Sequence, residues 1–402
     1  MPASYTKAAL TAAAWLALAA LLAQAAAAAQ GAKPALLVLL GGEAKIWQAA
    51  CQERGWRFLE PPSDTAGKDA DQRVKALAEA VEDAVKRSDA DPDRVYLAAQ
   101  GGAVATLFYV ASRVPDLWAA AVAAGGSPRA AIDSNRIYAA NTTNLPVLWL
   151  FSKKDEEPLG RKLHEAGFNL EWRELTVARP SEIFEWLATH QRDPFPVTAD
   201  CETGSTLFTR CYWAEVTRFD PAESNDVLDS TRVQPLGSGA VLALGPFGYD
   251  PADPGPGVLV TSLPEKYAGP LKIHDRIVEM GGKELKNAAE FAQILYHTFD
   301  EKPVVVMVER GKEHLRLETR IQVAPRAEPV TARVRAQYLP GLQEVEVVSR
   351  AITQMKITLP ASWLPARVTW NGTEVAHPTA AGCWLLDEQK ELLSARPCAS
   401  SH

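Results

Sequence analysis

Asp93-Arg94-Val95-Tyr96-Leu97-Ala98-Ala99-Gln100-Gly101-Gly102-Ala103 decides the fold of this chain. Five residues without a charge, Val95 to Ala99, form a run short enough for a strand. Two glycines then permit a sharp turn, and an apolar-periodic helix starts near Gly102 and stops before Pro115. Working outward, Ala35–Leu40 is a continuous apolar strand that runs into Gly41-Gly42, with a helix from about Lys45 to Arg54. Trp56–Leu59 reads as a strand. The stretch Asp71–Arg87 is a helix on the spacing of Val74, Leu77, Ala78, Val81 and Val85. Ala119–Ala123, Val147–Phe151 and Leu170–Val177 are further strands, and a helix from Pro180 to about His190 closes the series. Strands that are apolar throughout and separated by helices predict a doubly wound parallel sheet covered on both faces. Chemistry in such a sheet is expected at the carboxyl ends of its strands, where the Gly41-Gly42 and Gly101-Gly102 turns lie.

After Asp193-Pro194-Phe195-Pro196 the pattern changes to alternation. Phe208–Thr217, Val330–Gln337, Glu344–Val348, Met355–Leu359 and Ala366–Trp370 are expected as strands, and Asn371-Gly372 as a two-residue hairpin turn. Between them Gly257–Ser262 and Ile273–Met280 read as strands and Gly281-Gly282 as a turn. Ala288–Tyr296 reads as a helix, and Pro303–Glu309 with Leu315–Ile321 as a hairpin.

The 402-residue chain carries a formal net charge of −7 and has no Lys/Arg-rich run, which argues against nucleic acid as a partner. Lys7, the apolar run Ala8–Leu22 and the alanine tract Ala25–Ala29 read as a secretory signal peptide over residues 1–29. A periplasmic or secreted protein is therefore expected, with no membrane association once the signal is removed. Of five cysteines, Cys201 with Cys211 and Cys383 with Cys398 are candidate disulfides in an oxidising compartment, leaving Cys51 in a helix. With no C-x-x-C pair and scattered histidines, neither a metal nor another cofactor is expected.

Residues 33–197 resemble the minimal α/β-hydrolase of secreted esterases and polyhydroxybutyrate-depolymerase-like proteins. The likeness runs from Asp93 through Ala103 and on through Ala111-Ser112-Arg113-Val114-Pro115-Asp116-Leu117-Trp118. In that family a Gly-His-Ser-Met-Gly turn presents the nucleophile, but the aligned residues here are Ala99-Gln100-Gly101-Gly102-Ala103. The serine position is Gly101. Asp155 matches the family acid, and Glu174-Leu175-Thr176-Val177-Ala178-Arg179-Pro180-Ser181, which joins the last strand to the last helix, carries no histidine where the family histidine is expected. Backbone N–H groups of Gly41, Gly42 and Gly102 occupy the places of an oxyanion hole, so a ligand-binding shape could outlast the catalytic groups.

Residues 234–325 resemble a PDZ domain of the bacterial type. The likeness rests on Ala268-Gly269-Pro270-Leu271, Asp275-Arg276-Ile277, the Gly281-Gly282-Lys283 turn, the helix and the final hairpin. His274 departs from the family, which usually has glycine there. The likeness implies a peptide-binding loop at Leu244, Gly245, Pro246, Phe247 and Gly248, and partners that are protein or peptide C-termini. Residues 198–233 and 326–400 resemble the two halves of a β-sandwich-like domain found after Asp-Pro-Phe-Pro in some of these esterases.

The expected architecture is thus α/β plus β, an α/β-hydrolase-like sheet followed by a sandwich with an inserted PDZ domain. The expected function is that of an exported pseudo-hydrolase that binds protein or peptide. The alternative is an active serine esterase acting on small esters or polyesters, with Ser127 or Ser152 as an unrecognised nucleophile. Trp363, Trp370 and Trp384 are the residues a carbohydrate-binding role would use.

Overall fold

The apolar runs of the first half lie side by side. Strands β1 (Leu36–Leu39), β2 (Arg57–Leu59), β3 (Val95–Gln100), β4 (Ala120–Ala124), β5 (Val147–Phe151) and β6 (Leu170–Glu174) form one sheet in the order β2-β1-β3-β4-β5-β6. Every pair in it is parallel. The computed structural model describes residues 33–61, 69–152, 157–175, 180–222, 227–323, 329–390 and 392–399. Helices α1 (Ala44–Glu53), α2 (Ala70–Ser88), α3 (Val104–Arg113), α4 (Arg129–Asp133), α5 (Glu157–Glu165) and α6 (Pro180–Ala188) alternate with the strands. Strands β1, β4 and β5 are buried along their whole length, as expected for a sheet covered on both faces. Asp69 caps α2 in a reciprocal box with Gln72, which explains why this helix starts where it does.

The chain continues through β7 (Thr198–Thr203), β8 (Arg210–Cys211) and β9 (Ala214–Phe219). It then builds a separate unit from β10 (Ala240–Leu242), β11 (Val258–Leu259), β12 (Arg276–Met280), β13 (Lys283–Glu284), α7 (Ala288–Tyr296), β14 (Lys302–Arg310) and β15 (Glu313–Val323). It returns as β16 (Ala332–Leu339), β17 (Glu344–Arg350), β18 (Ile352–Leu359), β19 (Arg367–Trp370), β20 (Thr373–Ala376), β21 (Gly382–Gln389) and β22 (Leu392–Pro397). Two compact units result. One comprises Met1–Ala131, Asn135–Val233 and Val330–His402, and the other Gln234–Pro329 with Ile132–Ser134.

Within the first unit the β-rich part consists of two five-stranded sheets, β20-β19-β17-β16-β7 and β22-β21-β18-β9-β8. Their facing side chains share one core containing Trp213, Val345, Ile357, Trp363 and Trp370. The first unit is therefore a parallel α/β sheet joined to a β-rich region. Trp363 and Trp370 are buried in that core and so offer no flat face to solvent, while Trp384 is half-buried and packs against it. Cys201 is bonded to Cys211 and Cys383 to Cys398.

Three expectations about strands need correcting, one of them Ile273–Met280, of which Arg276–Met280 alone is a strand. Phe208–Thr217 is not one strand, because Tyr212 takes a left-handed φ of 54° and folds β8 back on β9, pairing Arg210 with Glu215. Its hydroxyl is buried beside Asp116, a tertiary demand that alternation does not encode. Gly257–Ser262 contributes just Val258–Leu259 to the ladder. Beyond Leu259 the pairing continues outside the named strands, the Val260 N–H donating to the Asp275 carbonyl at 2.8 Å and the Val260 carbonyl accepting the His274 N–H at 2.9 Å.

In the second unit the sheet runs β10-β15-β14-β12-β11, with β13 paired to β12. Gly281 and Gly282 have φ of 63° and 80°, the two positive values that a two-residue hairpin turn requires. His274 also has positive φ, 74°, so the left-handed conformation persists here on a residue with a Cβ. Beside it Asp275 is 1% exposed and receives both Nε and Nη2 of Arg310, at 2.8 and 2.7 Å, plus the Lys272 N–H at 2.7 Å. Burial opposes charge on Asp275, but these partners outweigh it and hold its carboxyl below the usual carboxylate range.

Candidate functional site

At the carboxyl end of β3 the chain turns through Gly101 (φ 60°) into a single 3-10 turn over Gly101–Ala103 and then into α3. A side chain at Gly101 would meet no atom within 4 Å, so the turn is spacious although its backbone disfavours any residue with a Cβ. Gly126, after β4, is demanded for a different reason. A Cβ there would lie 1.9 Å from the Gly101 carbonyl oxygen, so the two backbones touch directly. The Trp149 indole fixes Gly126 by donating to its carbonyl at 2.8 Å.

Gly41 and Gly42 follow β1 and lie against the same turn. A Cβ on Gly41 would be 3.0 Å from that of Ala103, and one on Gly42 would be 2.7 Å from Gln100 Oε1. The Gln100 amide is therefore seated on this loop. Its Oε1 accepts from the Glu43 N–H at 3.3 Å and from the Trp47 indole at 3.4 Å. An acceptor of the protein's own thus occupies a loop that, in an oxyanion hole, would present donors to a substrate oxygen. Gly102 is exposed. The Gly41-Gly42 loop thus lies against Gln100 and Ala103, and the seat of Gln100 is a feature that sequence reasoning missed.

Asp155 and residues 176–179 lie outside the described residues. Ser127 Oγ accepts from the Arg129 N–H at 3.4 Å, a turn contact at the start of α4, and Ser152 is exposed. His190 bonds through Nδ1 to the Trp186 carbonyl at 2.8 Å on its own helix end, and His164 packs on Trp172 with ring centres 5.3 Å apart. His377 pairs with Glu374 at 2.8 Å in the β-rich region. His274, His297 and His314 belong to the second unit. No described histidine is bonded to Ser127 or to the Gly101 turn. Among the described residues no cluster of His, Cys, Asp or Glu has the arrangement of a metal site.

The stretch Ser112–Trp118 serves structure. Ser112 Oγ receives the Tyr138 N–H at 2.7 Å, and the Ser112 carbonyl accepts from Asn141. Buried Asp116 receives Arg210 Nε at 2.8 Å, tying the α/β part to the β-rich part. Burial raises the Asp116 pKa and the Arg210 charge opposes that rise.

In the second unit, Gly245 and Pro246 are exposed and Leu244 is buried. The Tyr267 hydroxyl donates to the Leu244 carbonyl, and its ring lies 2.8 Å from where a Gly245 Cβ would be. Gly248 bridges to Ser262, and Phe247 and Tyr249 pack on Phe291 of α7.

No family model and no curated protein matches the chain. Solved structures of esterases are similar in part. A thermostable esterase is 15% identical over 40% of this chain and 56% of its own, with a TM-score of 0.31. Esterase PE8 is 17% identical over 40% of this chain and 92% of its own, with a TM-score of 0.27. A fungal esterase from Rhizomucor miehei is 12% identical over 39% of this chain and 72% of its own, with a TM-score of 0.31. This chain spans just over half the length of the first.

Proposed function

We propose that this protein is an exported, non-catalytic relative of the α/β-hydrolases that binds protein or peptide through its second unit, read as a PDZ-like domain. The observation that carries the first half is the Gln100 amide seated on the Gly41-Gly42-Glu43 loop, next to a turn with no hydroxyl at Gly101. A nucleophile and a base must come within hydrogen-bond reach for acyl transfer. Ser127 instead caps a turn, and the described histidines are bonded or packed at other places. Loss of a nucleophile alone costs up to ~10⁶ in rate. Two disulfides in the β-rich region support an oxidising compartment and so export.

The test is hydrolysis of short- and medium-chain nitrophenyl esters by the purified protein. No turnover above buffer is expected, either for the natural sequence or for Gly101→Ser. Turnover that Ser127→Ala or Ser152→Ala abolishes would overturn the reading in favour of an esterase. For the binding half, displayed peptides should be retained by the full chain and released when Phe247 and Tyr249 are replaced by alanine.

A further inference from the structure

Peptide binding by the second unit, the reading on which this inference rests, requires a main-chain edge open to a partner, and such an edge flanks Gly248. Gly248 donates its N–H to the Ser262 carbonyl at 2.8 Å, and its own carbonyl accepts the Thr261 N–H at 2.8 Å. Along an extended chain the main-chain groups of successive residues point to opposite sides. Those of Phe247 and Tyr249 therefore face away from Ser262. Among the described residues neither of them gives or receives a hydrogen bond. Their rings, half-buried, pack on Phe291 with centres 6.4 and 5.6 Å away. This edge thus offers a row of unpaired main-chain donors and acceptors beside an aromatic wall, the requirements for adding a strand.

The segment leading into the edge is unsuited to a chain end. Capture of a terminal carboxylate needs convergent N–H groups or a cation. Pro246 has no N–H to give. The Tyr267 hydroxyl and ring close off Leu244 and Gly245 from one side. From Leu244 to Asp253 the sequence has no Lys or Arg, while Asp250 adds negative charge just beyond Tyr249. Asp253, held below the usual carboxylate range by the Gly255 N–H, pairs with Arg276 at 3.5 Å, and Arg276 also donates to the Pro256 carbonyl, so that cation is already engaged.

We propose that this edge takes an internal extended segment of a partner polypeptide, not its C-terminus. The added strand exchanges main-chain bonds with Phe247 and Tyr249 and lays every second side chain, an apolar one, against Phe247, Tyr249 and Phe291.

Two displayed libraries of the same random short peptides test this on the immobilised full chain. One library ends in a free carboxylate and the other continues into a Gly-Ser tail. Enrichment from the tailed library is expected, and selected peptides made as free acid and as C-terminal amide should bind within about threefold of each other. N-methylation of the peptide should abolish binding at alternate positions, a readout that leaves the protein's own folding untouched. Enrichment confined to free carboxylates, or an amide weaker by about tenfold or more, overturns the internal-segment proposal while leaving peptide binding standing. Enrichment from neither library overturns both.

Discussion

The Glu202 carboxylate grips Thr231 twice, accepting its N–H at 2.6 Å and its hydroxyl at 2.8 Å. The same carboxylate receives Ser230 Oγ at 2.5 Å and the hydroxyl of Thr331. Ser230 and Thr231 belong to the segment that leaves the first unit, and Thr331 to the one that returns, so one buried side chain holds both. Glu202→Ala leaves four donors without their acceptor, and a loss of about 3 kcal/mol is expected. Urea unfolding should report it, together with faster tryptic cleavage at Arg232, which is 9% exposed in the intact protein. Unchanged cleavage and stability would show that other contacts hold the two segments.

Gly101 and Gly126 should respond unequally to alanine. At Gly101 the cost is one of backbone conformation in open space, about 1–2 kcal/mol. At Gly126 the new methyl would collide with the Gly101 carbonyl, so β4 or the turn must move, and a loss of about 3 kcal/mol or failure to express is expected. Thermal melts of the two variants compare them directly, and equal losses would contradict the contact.

Asp275 gives a pH signature. Its folded pKa lies below its ordinary 3.8, so its contribution is complete above that value and is lost as pH falls through the lower folded pKa. Asp275→Asn should destabilise the second unit by about 2–3 kcal/mol at pH 7, reduced from a fully buried pair because Arg310 is partly exposed. Melting curves of parent and variant should converge as pH drops below 3.8. A gap that stays constant down to pH 2 would dissociate the effect from ionisation.

Cys51 is fully buried, and burial pushes its thiol up to about 12. At pH 8 only on the order of one molecule in 10⁴ carries the thiolate that alkylates. Iodoacetamide should leave the folded protein unmodified and label one cysteine after unfolding without reductant. Rapid labelling of the native protein would contradict the packing of α1.

The sheet of the first unit was legible because burial on both faces makes β1, β3, β4 and β5 apolar at nearly every position. Helix α7 and the turns at Gly281-Gly282 and Asn371-Gly372 were legible because local chemistry specifies them. What escaped was decided by distant partners. Tyr212 breaks an alternating run to reach a buried position near Asp116. β17 and β19 pair in parallel, Glu344 with Arg367, inside an otherwise antiparallel sheet, which no alternation announces. At the turn, the glycines could be read directly, yet Gln100 looked like any polar residue at a strand end. Its role depends on Glu43 and Trp47, more than 50 positions away.

The hairpin turn between β19 and β20 bears on how the protein ages. An Asn-Gly step is prone to deamidation, since the glycine nitrogen can attack the neighbouring side-chain amide to close a succinimide. Asn371 has that amide tethered: its Oδ1 accepts the Ser349 N–H at 2.8 Å and its Nδ2 donates to Ser349 Oγ at 3.3 Å. Ring closure would have to break both contacts, so material stored in the folded state should keep its charge at this position far longer than the unfolded chain does.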